Sequence, residues 1–216
     1  MNATATRARP ERKPQERSAR TREKLLRAAV ACVRERGYAG ATVAEIAERA
    51  GVSRGAQIHH FPTKADLVTA AVAFYYERRA RKFVERVREV SGAVDVVGAA
   101  IDVLWELSTE PEEAVGLELD VAARTDPELR AKLAPYLAAQ PKFVARVARE
   151  VFGPLADRTR HFDDLVSVVL SAIGGMEMKR GVLEDPERER RLLETLKATV
   201  RRMLRVDEEG NDDRDA

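Results

Sequence analysis

Residues Thr42–Lys64 read TVAEIAERAGVSRGAQIHHFPTK, and the order of capping residues, apolar residues and breakers in this stretch decides the fold. Thr42 stands just before Val43, Ile46, Ala47 and Ala50, which recur at helical spacing, and Glu45 follows three residues later as in a capping box. Gly51 ends that helix, because the residue past a helix end favours a left-handed backbone that glycine adopts without a Cβ clash. Ser53 caps a second helix of about two turns that reaches Phe61, and Pro62 breaks it. Thr63 then caps a longer helix, with Asp66 at its third position. Two short helices joined by Ala50-Gly51-Val52 make a helix-turn-helix, with Val52 packed under the turn. Such a second helix fits the major groove of duplex DNA: its free N–H groups meet phosphate and its first side chains reach base edges.

Upstream, Thr21 caps a helix running to about Arg36, with Leu25, Leu26, Ala29, Val30 and Val33 as its apolar stripe and Gly37 as its stop. Residues 1–19 contain Pro10 and Pro14 and too few apolar side chains to fold alone, so they read as a flexible basic arm. Arg7, Arg9, Arg12, Lys13, Arg17 and Arg20 either track phosphates or the minor groove or stay solvated. Downstream, helices are expected over Lys64 to near Val90, Ala93–Ser108 and Glu112–Arg124. A further one opens at Asp126-Pro127 and is bent or divided by Pro135 or Pro141. After a break at Gly153-Pro154 come Asp163–Lys179 and Glu187–Arg205, then an acidic, frayed tail over 207–216. No segment alternates as a strand does. The expected division is an arm (1–19), a helix-turn-helix DNA-binding domain (20–66), a ligand-binding and dimerisation domain (67–206) and the tail.

The composition agrees: 44% hydrophobic and 34% charged residues with only 12 Gly and 9 Pro suit a helical globular chain. Net charge is +2 but uneven. From Met1 to Lys64 there are 14 Lys and Arg against 6 Asp and Glu; the remainder has 24 against 30. A basic first third suggests a polyanionic partner. Cys32 is the single cysteine, so no internal disulfide forms, and its place in an apolar stripe makes it a buried thiol. Met1–Arg20 lacks a secretory apolar core and no apolar run approaches the roughly 20 residues of a membrane span, so a cytoplasmic protein with no membrane partner is expected.

Gly37-Tyr38, Thr42 to Ala47, Ala50 to Gly55 and His59 to Leu67 together resemble the TetR family of transcriptional regulators over about residues 20–68. The resemblance implies an all-α fold of about nine helices, a homodimer, and double-stranded operator DNA as partner. It implies that Thr42 and Ser53 cap helices at the phosphates, that Arg54 and Gly55 lie over base edges, that His59 and His60 sit near the backbone, and that Lys64 touches phosphate. Arg54 is the expected base reader, since guanidinium spans guanine O6 and N7 with two hydrogen bonds. The family usually has Leu-Tyr where this chain has Gln57-Ile58. Ile58 lacks the tyrosine's hydroxyl; Gln57 either reaches adenine or phosphate instead or is simply solvated. His59 and His60 point about 100° apart on a helix and have no further ligands, so no metal is expected.

The resemblance also places a small-molecule cavity in the core of the second domain, with Trp105, Leu117, Val121, Phe143, Val147, Phe162 and Met176 as candidate lining and a largely apolar effector. Glu118, Asp120 and Arg124 interrupt an apolar helix; they recognise a polar group, pair with one another, or lie on the surface. The apolar stripes of the last two helices suit a four-helix dimer seam, which would present two reading helices about one DNA turn apart on a palindromic operator. The function expected is a repressor released by its effector, with an activator or a ligand-independent regulator as the alternative. No phosphate loop, nucleophile elbow or cofactor motif points to an enzyme.

Overall fold

The computed structural model describes residues 12–90, 95–180 and 182–212, and among them every regular element is a helix. They are α1 (Arg12–Gly40), α2 (Val43–Ala50), α3 (Arg54–His60), α4 (Lys64–Glu89), α5 (Val96–Ser108), α6 (Ala114–Ala122), α7 (Pro127–Phe152), α8 (Pro154–Arg158), α9 (Phe162–Arg180) and α10 (Pro186–Asp212).

The breakers act where their chemistry requires. Gly37 interrupts α1 at φ 68°, ψ 171°, and Gly51 closes α2 at φ 63°, ψ 39°; both conformations strain any residue with a Cβ. Thr42 Oγ1 accepts from Glu45 N at 3.2 Å, and Ser53 Oγ from Ala56 N at 3.3 Å. Thr63 and Asp66 form a complete capping box. Thr42 does not form one: the Glu45 carboxylate turns to Arg36 at 2.8 Å instead.

Three expectations need correction. Thr21 is not a cap, because α1 already starts at Arg12 and the Thr21 hydroxyl donates back to Arg17 O at 2.9 Å. Residues 12–19 of the expected arm are therefore helical, while residues 1–11 lie outside the described residues. The prolines do not divide α7, which runs unbroken past Pro135 and Pro141. Each removes a donor to the carbonyl four residues earlier, but Ala131 and Leu137 are exposed, so the freed carbonyls stand on the solvent side of the helix rather than in the core. At the other end, α10 continues to Asp212 rather than ending near Arg205. Strong helix formers fill most of its length, and no proline follows Pro186.

One core runs through both expected domains. Leu25, Leu26 and Val33 of α1, Ile46 of α2 and Leu67, Val68 and Val72 of α4 pack in the same cluster as Val115 and Leu119 of α6 and Leu129 and Leu133 of α7. Cys32 is buried within it. Three further clusters lie in the interior, the smallest of them Ala148, Ala156 and Phe162. Ile101, Leu165, Val169, Ile173, Leu193, Val200 and Leu204 join α5, α9 and α10, and Phe83, Val87, Ala100, Val103 and Leu107 join α4 to α5.

Candidate functional site

The helix pair α2–α3 presents a polar face built from its caps outward. Thr42, Ser53, Arg54, Gly55, Ile58 and His59 are exposed, and His60 is half-buried, with burial holding its imidazole below the usual histidine range. Arg54 is distinguished by what it lacks. Arg36 is committed to Glu45, Arg49 to Glu35 at 2.6 and 2.7 Å, and Lys64 to the Tyr38 ring, whose centroid lies 4.2 Å from its ammonium. Arg54 makes no hydrogen bond or ion pair among the described residues, so its five donors are available to a partner. Beside it, an added Cβ on Gly55 meets nothing within 4 Å, so the protein itself does not require glycine there.

Gln57 does not belong to this face. It is 1% exposed, and its amide nitrogen donates to Phe61 O at 2.6 Å, closing the end of α3. The expected adenine or phosphate contact is excluded by that burial. Ile58, one position on, is 49% exposed and turns outward. Lys64 is also less available than expected. Its ammonium lies 3.5 Å from Ala39 O, and partial burial lowers its pKa. Arg22 of α1, which sequence reasoning passed over, stands 5.5 Å from the Phe61 ring centroid on an exposed edge of the same region.

The second site is a cavity of about 530 Å³ enclosed mainly by α4, α5, α6, α7 and α9. Leu117, Phe143, Val147 and Phe162 line it, as expected. Trp105, Val121 and Met176 do not. Trp105 and Met176 pack against the α5–α9–α10 cluster, with Arg180 5.9 Å from the indole centroid. Val121 is 55% exposed, because Val115, Gly116 and Leu119 form the buried face of α6 and residue 121 lies two positions, about 200°, round the helix from Leu119.

Sequence periodicity did not reveal the cavity's polar side. Arg79 Nη2 donates to Ser108 Oγ at 2.9 Å, its Nε lies 3.1 Å from Glu113 Oε2, and the Tyr75 hydroxyl donates to the same carboxylate at 3.1 Å. Burial pushes Glu113 up, while Arg79, Tyr75 and Tyr76 oppose it. Glu177 of α9 lines the cavity with no hydrogen-bond donor among the described residues. Burial, reinforced by the Glu113 charge, raises its pKa to about 7.

Between the two sites lies a clamp. Glu118 Oε1 accepts the Tyr38 N–H at 2.7 Å, and Asp126 Oδ2 accepts the Tyr38 hydroxyl at 3.1 Å. Burial and Asp126 push the phenol up to about 12. Lys132 pairs with Asp66 at 2.7 Å, and Arg34 with Glu112 at 3.1 Å. Of the three polar residues expected on α6 or at its end, Arg124 and Asp120 are exposed, Asp120 while also lining the cavity, and Glu118 grips the end of α1.

Residues 25–71 match the family model of bacterial regulatory proteins, tetR family. An uncharacterized HTH-type transcriptional regulator of Mycobacterium tuberculosis strain H37Rv is 33% identical over 189 residues, 88% of this chain and 97% of that protein. The chain belongs to the tetR family. The HTH-type transcriptional regulator CymR of Pseudomonas putida is 40% identical over 122 residues, 56% of this chain, which thereby spans 60% of the length of CymR. The multidrug binding protein EbrR, solved in complex with ethidium, shares the fold at a TM-score of 0.61 and 23% identity, covering 82% of this chain and 96% of that one. This tetR-family protein is thus an all-α, DNA-binding transcriptional regulator, and no helix among its described residues is long and apolar enough to cross a membrane.

Proposed function

We propose that this regulator is a repressor that binds a palindromic operator as a homodimer and is released when a small, largely apolar molecule enters the cavity. The observation that carries the proposal is the unpaired Arg54 on the exposed face of α3, in a head whose core continues through α4 and α6 to the cavity wall. In this scheme Arg54 reads a base, Thr42, Ser53, His59 and His60 flank the phosphates, and Gly55 lets the duplex approach closely. Ile58 supplies an apolar contact, suited to a thymine methyl, where family members use a tyrosine hydroxyl. Lys64 serves first to fix α4 against Tyr38.

The dimer seam is assigned to α9 and α10, whose Val168, Met178, Leu192 and Met203 are exposed at 61, 47, 36 and 51%. These apolar side chains favour a partner of the same kind. EbrR, of the same fold, takes up ethidium, which favours an effector role for the cavity here. Effector binding acts through α6: Leu117 and Asp120 meet the ligand, and Glu118 holds the end of α1. A ligand that prefers the α6 position of the released state lowers operator affinity by the same coupling free energy.

Selection of duplexes from a random pool by the purified full chain, followed by mobility shift at fixed salt, tests the proposal. A palindromic consensus bound by a dimer, with binding lost in Arg54→Ala, is expected. Enrichment of no sequence overturns the operator reading.

A further inference from the structure

The Glu177 carboxylate is half-buried in the cavity without a hydrogen-bond donor among the described residues. A carboxylate withdrawn from water without a partner is costly, and a protein relieves that cost by binding a proton or a cation. The other ionisable groups in the lining are Tyr76, whose phenol burial keeps protonated, Arg79, Glu113 and Asp120, and α5, α7 and α10 contribute no charged group to it. Arg79 is already committed to Glu113 and Ser108, so the lining holds two carboxylates beyond its one neutralised pair. The remaining wall is mostly apolar, including Phe83, Leu104, Val144, Val147 and Phe152, with Ser108, Gln140, Ser167 and Ser171 as its neutral polar groups. An anionic ligand would meet this acidic excess with no free cation to receive it.

We propose that the cavity takes an amphipathic cation, its apolar body against the wall of α4, α5 and α7 and its positive group against the Glu177 carboxylate. The inference rests on the cavity being the effector site and adds the charge class of the ligand. Binding has a proton consequence. With Glu177 at about 7 in the empty cavity, its ionised fraction rises from about one-tenth at pH 6 to about nine-tenths at pH 8. Glu113 and Arg79 are the charged groups that act on it; the first raises its pKa and the second lowers it. A cation selects the ionised form, so it binds more tightly as pH rises and releases a proton below pH 7.

Tetraphenylphosphonium and tetraphenylborate share a shape and differ in the sign of charge. Calorimetric titration of the full chain with each, for wild type, Glu177→Gln and Val144→Trp, tests the inference. Phosphonium is expected to bind once per chain, with borate at least about tenfold weaker. Phosphonium affinity should rise about fivefold to tenfold from pH 6 to pH 8 in wild type. Glu177→Gln should lose about tenfold at pH 8 and flatten the pH profile. Val144→Trp should abolish binding by filling the cavity. Should it fail to fold, Gly174→Phe serves, since an added Cβ there meets nothing within 4 Å.

Borate binding as tight as phosphonium overturns the cation inference. If Val144→Trp also blocks that binding, the cavity still stands as a ligand site. Phosphonium binding indifferent to Glu177→Gln, or no phosphonium binding, likewise overturns it. The operator reading is judged separately by duplex selection.

Discussion

Gly37→Ala and Glu118→Ala strike the same contact from opposite sides, and their energies should not add. Gly37 has φ 68°, and a Cβ there would lie 2.8 Å from Glu118 Oε1. An alanine at 37 would be held at φ 68°, ψ 171°, a conformation essentially reserved for glycine, at a strain of about 1.5 kcal/mol. It also displaces the flexible Glu118 carboxylate, which then loses its 2.7 Å bond from the Tyr38 N–H. That charge-assisted bond is half-exposed, so its loss is placed at the low end, about 1.5 kcal/mol. Glu118→Ala alone should therefore cost about 1.5 kcal/mol and Gly37→Ala alone about 3. The double variant should also cost about 3, because the second change finds the bond already gone, leaving a coupling of about 1.5 kcal/mol. Urea unfolding followed by circular dichroism measures all four corners of the cycle. Additivity to within about 0.3 kcal/mol would refute the clamp, because the two residues would then contribute independently.

Gly55→Leu should leave the urea midpoint unchanged or raised, since the site is open and glycine is a poor helix former, yet abolish the mobility shift on the selected duplex. Gln57→Ala should instead destabilise the fold by about 1–3 kcal/mol by leaving Phe61 O without its buried donor, which the same unfolding curve reads. Gly116→Ala should lower the melting temperature, because the new Cβ collides with the Tyr76 hydroxyl at the edge of the cavity. Glu177 sits above its unfolded value, so the unfolded chain binds fewer protons between about pH 4.5 and 7 and wild-type stability falls across that window. Glu177→Gln should abolish that loss, making the variant more stable relative to wild type at pH 8 than at pH 4.5 in thermal melts.

Signals confined to a few neighbouring residues were legible in the sequence. Gly51 at its left-handed position, the Thr63–Asp66 capping box and the helix stop at Gly37 each follow from backbone chemistry within one turn. The family resemblance likewise pointed to Leu117, Phe143, Val147 and Phe162 as cavity lining. It failed at Trp105, Met176 and Val121, because an apolar side chain does not announce which neighbouring helix it will face. Gln57 misled for a related reason. A polar residue one position from the reading face is buried when its amide can serve a local carbonyl, and this depends on the turn into Phe61. The roles of Glu177 and Glu118 were beyond reach, since they arise from α4, α6, α9 and the end of α1 meeting in space.

The continuous cluster from Leu25 through Val72 to Leu133 has a consequence for building chimeras. A head grafted by a cut at residue 66 would leave Leu67, Val68, Ala71 and Val72 behind and set Leu25, Leu26 and Val33, all buried here, against foreign side chains. Each mismatched large residue threatens about 2–5 kcal/mol, a large share of what a domain has to lose. Transplanting this specificity head onto another receptor therefore means moving the matching surfaces of α4, α6 and α7 with it. Cut otherwise, the hybrid should come apart before it meets DNA.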